Sequence, residues 1–105
     1  MREVRRVTLS GTGQTKTGQI QMRSKNVDCL MRRTSGAGTA QVTVRGGFSK
    51  TGTSNNETVQ VANEAVTTDA LANVANFDAP YSYLNVTAVF TGTATVEVTF
   101  VGTDG

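Results

Sequence analysis

The most restrictive feature of the sequence is the alternation between Leu84 and Phe100. Apolar residues occupy the even positions Leu84, Val86, Ala88 and Phe90, and after Thr91-Gly92-Thr93 they resume as Ala94, Val96, Val98 and Phe100. A period of two is the signature of a strand with one buried face, so this stretch specifies two strands and excludes a helix. A two-residue hairpin loop would set Phe90 opposite Thr95, on the wrong face, whereas an odd loop keeps all eight apolar residues on one side. The same parity suits an arch between two facing sheets, so the sequence leaves hairpin and arch open. Function carried by this stretch must then lie on its odd positions, Tyr83, Asn85, Thr87, Thr95, Glu97 and Thr99, or in the Thr91-Gly92-Thr93 tip.

Other segments extend the pattern. Val7 and Leu9, Ile20 and Met22, Val27, Cys29 and Met31, Ala40, Val42 and Val44, and Val59 and Val61 each mark a further strand. With 18 threonines and 14 valines against four leucines and one isoleucine, the composition favours pleated structure over helix. The 105 residues form one domain, 1–105, and the expected fold is all-β: a single antiparallel β-sandwich or jelly roll of about seven to eight short strands. Gly11–Gly18 reads as a loop or hairpin tip, Gly46-Gly47-Phe48 as a bulge or kink, and Ser49–Asn56 as an exposed loop. Asp69 as a cap, with Ala70, Leu71 and Val74 on one face, predicts a short helix near residues 67–75. Residues 1–6 read as a basic N-terminal arm. The strand pair from Asn26 to Val44 also parallels the pair from Asn85 to Val98, as a repeated unit would.

Chemistry is scarce. The chain has no histidine, which removes the usual general base, the common zinc ligand and the Ser-His-Asp arrangement. The single cysteine, Cys29, lies in an apolar row and reads as an inert buried thiol. No carboxylate pair or calcium loop stands out, so no enzyme activity, metal or cofactor is expected. No apolar run approaches the ~20 residues of a membrane-spanning helix, and a soluble protein without a membrane partner is expected.

Charge is divided along the chain. Residues 1–33 hold eight basic and two acidic residues, a net of +6, and residues 34–105 hold two basic and six acidic residues, a net of −4. Either this polarity serves docking or self-association, or the two halves interleave and the charges mix on one surface. Arg5-Arg6 and Arg32-Arg33 could touch phosphates, yet residues 1–33 contain no aromatic side chain to stack on bases, so nucleic acid is not the expected partner. Tyr81 and Tyr83 share a parity opposite to the inward residues and suit either stacking on a sugar or packing at an edge or interface.

The segment from Ala79 to Gly102 carries a resemblance. Its Ala-Pro-Tyr-x-Tyr-Leu entry, valine strand, Thr-Gly-Thr turn and closing Val-x-Val-x-Phe-Val-Gly strand resemble the end of small jelly-roll-like β-sandwich virion proteins of tailed bacteriophages. What the resemblance implies is a capsid decoration (cement) protein, located on the virion surface and made in the host cytoplasm. Such a protein binds the major capsid protein of a phage head, bridges its subunits and often forms a homotrimer. The alternatives are a carbohydrate- or receptor-binding module of a phage tail or fibre, and a basic nucleic-acid-binding protein. The candidate interface residues are Arg2, Arg5, Arg6, Arg32, Arg33, Tyr81 and Tyr83.

Overall fold

A computed structural model describes residues 2–48, 58–78, 81 and 83–103. The Ser49–Asn56 loop and the Ala79-Pro80 entry into the last strand pair lie outside the described residues. Among them are eight strands: β1 Arg2–Thr12, β2 Thr15–Gln21, β3 Asn26–Gly36, β4 Thr39–Gly47, β5 Thr58–Val66, β6 Ala72–Asp78, β7 Tyr83–Thr91 and β8 Thr93–Thr103. They form two four-stranded sheets, β1-β8-β3-β6 and β2-β7-β4-β5, with every pairing antiparallel. The order is that of a jelly roll: the chain folds as one long hairpin, β1 with β8, β2 with β7, β3 with β6 and β4 with β5, rolled into a sandwich.

The alternation dictates the core. Val96, Val98 and Phe100 of β8 face Val42 and Val44 of β4 and Leu84 and Val86 of β7, and all are buried, together with Val27 and Cys29 of β3. β7 and β8 belong to different sheets, so Thr91-Gly92-Thr93 is an arch and not a hairpin turn. The repeated unit has the same meaning, because β3 and β4 are also joined by an arch. The copies pair crosswise, β3 on β8 and β4 on β7, which gives the sandwich an approximate two-fold relation.

Three expectations are corrected. The segment near residues 67–75 holds no helix: 67–71 connects the sheets and Ala72–Asp78 is strand β6. Its pairing with β3 slips by one residue between Cys29 and Leu30, leaving Val74 as the extra residue. That bulge breaks the period of two and imitates helical spacing. Residues 2–6 do not form a separate arm, because β1 pairs with β8 from Arg2 opposite Thr103 onward. Gly11–Gly18 is not a loop either, since only residues 13 and 14 separate β1 from β2. Two of its glycines permit close approach: a Cβ on Gly18 would fall 2.7 Å from Val7 Cγ1, and one on Gly11 would fall 2.6 Å from Phe90 Cδ2. The kink expected near Gly46 takes the form of a register shift between Val44 and Arg45 against β5. That shift makes Ala62 and Val66, rather than Val59 and Val61, the buried apolar residues of β5.

Four arches, 12–15, 36–39, 66–72 and 91–93, gather at one end of the sandwich. Gly38 N donates to Thr93 O at 2.9 Å and Gly13 N to Gly92 O at 3.2 Å, so three arch tips are tied directly together. Arg33 ties in the fourth: its Nη1 donates to Gly38 O at 2.8 Å and its Nε to Asp69 Oδ1 at 3.2 Å, while its backbone N donates to Thr68 O.

Candidate docking face and polar cleft

Because inward positions build the core, each sheet presents its remaining side chains on an outer face. The odd face of the last two strands is therefore split in two: Thr95, Glu97 and Thr99 lie outside β1-β8-β3-β6, and Tyr83, Asn85 and Thr87 lie outside β2-β7-β4-β5.

On the β1-β8-β3-β6 face, side chains run in rows set by register. One row is Val4, Val101, Asp28 and Asn76; the next is Arg6, Thr99, Leu30 and Asn73; a third is Thr8, Glu97 and Arg32. Val4 is 40% exposed, Val101 and Leu30 are half-buried, and together they make a short apolar strip across three strands. Charge is graded across it. Arg2 and Arg6 stand on the β1 edge, Asp28 on β3 about 10 Å away and Asp78 on the β6 edge about 14 Å away, for strands spaced ~4.8 Å apart. Asn76 Nδ2 donates to Asp28 Oδ1 at 2.7 Å, and Asn26 Nδ2 donates to Asp78 Oδ1 at 3.3 Å, which orients the acidic side. In the middle Arg32 Nε meets Glu97 Oε1 at 3.3 Å.

The seven candidate residues are thus divided. Arg2, Arg6 and Arg32 share this face. Arg5 is exposed beside Glu3, with Nη2 at 3.5 Å from Oε2. Arg33 serves the arches. Tyr83 opens β7 in the opposite sheet and Tyr81 precedes that strand: a Cβ on Gly46 would run into the Tyr81 ring, which also lies 5.7 Å from the Phe48 ring at 51°. Tyr81 is therefore a packing residue, whereas Tyr83 sits half-buried on the outer face. The basic first third does not form one surface, because strands from both halves of the chain alternate in the sheet and the ion pairs Arg32–Glu97 and Arg33–Asp69 join one half to the other.

The outer face of β2-β7-β4-β5 differs in kind. Its rows are Thr17, Thr87, Thr43 and Asn63, and Gln19, Asn85, Arg45 and Gln60. Thr17 and Gln19, Asn85 and Thr87, and Arg45 line a cleft of about 510 Å³. Gln19 Nε2 donates to Asn85 Oδ1 at 2.8 Å, and Arg45 is held by Thr58 through Nε to Oγ1 at 2.7 Å and Nη2 to the carbonyl oxygen at 3.0 Å. Asn85 Nδ2 is buried and has no hydrogen-bond partner among the described residues. Asn85 and Thr87 were legible as outward positions of the alternation; Gln19 and Arg45 were not, because only the pairing of distant strands brings them beside Asn85.

Two titratable groups among the described residues are perturbed by structure. Burial pushes the Cys29 thiol up to about 12, so the thiolate is not populated near neutral pH and the residue is inert. Burial also raises Glu3. Hydrogen bonds from Arg23 N, Ser24 Oγ and Ser24 N, with the charge of Arg5, outweigh it and hold the carboxyl below its ordinary 4.5. Among the described residues no group of three His, Cys, Asp or Glu side chains is placed to hold a metal ion.

No family model matches the sequence, and no curated protein sequence is significantly similar to it. Similar solved structures include the crystal structure of PirA, with a TM-score of 0.50 and 9% identity over 90% of each chain. A Bacillus endospore appendage protein from disulfide-linked pili gives 0.48 and 12% identity over 100% of this chain and 88% of that one. The infectious bursal disease virus VP2 subviral particle gives 0.48 and 11% identity over 99% of this chain and 33% of that one. The likeness to PirA is one of fold alone, a β-sandwich.

Proposed function

We propose that this chain is a structural, non-catalytic module that docks on a larger protein assembly through the outer face of β1-β8-β3-β6. The observation that carries the reading is the apolar strip Val4–Val101–Leu30 lying between a cationic β1 edge and an acidic β6 side. An apolar centre with a charged surround is how protein interfaces combine affinity with register. In the finer form of the proposal the assembly is a phage head, the partner its major capsid protein, and the role that of a decoration protein bridging subunits on the virion surface. The resemblance of Ala79–Gly102 supports that form. Homotrimer formation belongs to the same proposal: Arg2 and Arg6 at one edge and Asp78 at the other suit a head-to-tail ring of copies. Nucleic-acid binding is less well supported, since the arginines are dispersed among a face, an edge and the arches.

Co-sedimentation with purified heads of the encoding phage tests this reading. Wild-type protein pellets with the heads, and Val4→Asp, which places a charge in the strip, loses occupancy by tenfold or more, on the order expected for burying an unpaired charge. Undiminished occupancy of Val4→Asp would remove this face from the mechanism.

A further inference from the structure

We propose that the cleft on the outer face of β2-β7-β4-β5 binds a saccharide chain, with Gln19, Asn85 and Arg45 as its floor, Thr17 and Thr87 as its flank and Tyr83 at one end. The inference stands whether or not the opposite face docks on a capsid.

The first ground is chemical. The cleft holds two carboxamides, two hydroxyls and one guanidinium, with Gly18 and Val86 completing its lining and no carboxylate among them. Carboxamides and hydroxyls both give and accept hydrogen bonds, which matches a ligand whose groups do the same. A polyphosphate or nucleic acid would call for several cations, and only Arg45 is present. An extended peptide adding to this sheet would pair along the free edge of β2 rather than lie over the outer face, where the backbone of β7 is paired on both sides. A volume of about 510 Å³ is in the range of small-ligand sites.

The second ground is energetic. Asn85 spends one side of its amide on Gln19 and leaves Nδ2 buried and unpartnered, an arrangement that costs ~1–3 kcal/mol. Its neighbours across the sheet, Gln19 and Arg45, direct donors toward Asn85 and Thr58. Asn85 Nδ2 is thus a donor in want of an acceptor, which a ring or hydroxyl oxygen of a sugar would supply after a rotation of the Asn85 amide. Thr58 fixes the Arg45 guanidinium before the ligand arrives, so only the Asn85 amide has to turn. Tyr83 lies two residues from Asn85 on the same face of β7 and offers a ring against which a pyranose can stack.

The test uses the full chain, 15N-labelled, titrated to millimolar concentration with cellohexaose, mannohexaose, maltohexaose and chitohexaose. At least one is expected to shift the resonances of Thr17, Gln19, Asn85, Thr87 and Tyr83 and to leave Val4, Arg6 and Arg32 unmoved. Asn85→Val and Gln19→Ala are each expected to weaken that binding by about tenfold, the equivalent of one hydrogen bond. Retained dispersion of the variant spectra checks that they are folded. The proposal is overturned if none of the four sugars moves these resonances, if the shifts fall on the opposite face, or if both variants bind as the wild type does.

Discussion

The outer faces of the two sheets rest on the same core and obey the same alternation, yet they carry different chemistry. Outside β1-β8-β3-β6 stand arginines, aspartates, a glutamate and a short valine–leucine strip; outside β2-β7-β4-β5 stand threonines, glutamines and asparagines with a single arginine, Tyr83 and the exposed Val89. The charged face pairs several of its polar groups in the free protein, through Arg32–Glu97, Asn76–Asp28 and Asn26–Asp78. The amide face leaves Asn85 Nδ2 without a partner among the described residues. One face carries paired charges around an exposed apolar strip, and the other holds an unmet bond. The inward positions fix the fold and leave the outward positions free to carry function.

The largest expected effect removes what the two faces share. Phe100 is wholly buried, and Phe100→Ala should lower unfolding free energy by ~3–5 kcal/mol in a urea titration, with capsid docking and sugar binding failing together. Loss of one activity alone would mean that the faces do not depend on a common core. Next comes the sign of the Asn85 effect. Replacing it by valine removes the orphan amide and suits a central strand, so Asn85→Val should gain about 1 kcal/mol in stability while losing sugar binding. A destabilised Asn85→Val would show that the amide has a structural role. On the charged face, Glu97→Gln should cost only ~0.2–1 kcal/mol, because the Arg32 side chain is 42% exposed and the pair is screened by solvent. The smallest effect is one of pH. Glu3 is held below its ordinary pKa in the folded chain, so its contribution is present above pH 4.5 and is lost as pH falls through the depressed folded value. The stability difference between wild type and Glu3→Gln should accordingly shrink on acidification. A difference independent of pH would remove the ionised carboxylate as the capping group of the Arg23–Ser24 connection.

The sequence discloses the strands and their buried sides wherever the period of two is unbroken, as in β3, β4, β7 and β8. It fails where a bulge adds a residue: Val74 in β6 turns alternation into apparent helical spacing, and the shift beside Arg45 moves the core positions of β5 to Ala62 and Val66. It leaves hairpin and arch undecided at Thr91-Gly92-Thr93 because parity is the same for both. The arch follows only from long-range pairing, β1 on β8 and β2 on β7. The same non-local pairing explains the sites. Asn85 and Thr87 can be assigned to an outward face from their own strand, but nothing local to Gln19 or Arg45 shows that they meet Asn85. Glycines misled for a related reason, since Gly11 and Gly18 serve close packing between sheets rather than a flexible tip.

The central claim, that the charged face docks while the amide face stays open, is tested most directly by a cryo-electron microscopy map of heads decorated with this protein. The expected map places β1-β8-β3-β6 against the shell, with Val4 and Val101 at the contact and the Asn85 cleft turned to solvent. A map that places β2-β7-β4-β5 against the shell, or heads that carry no density for the protein, would contradict it.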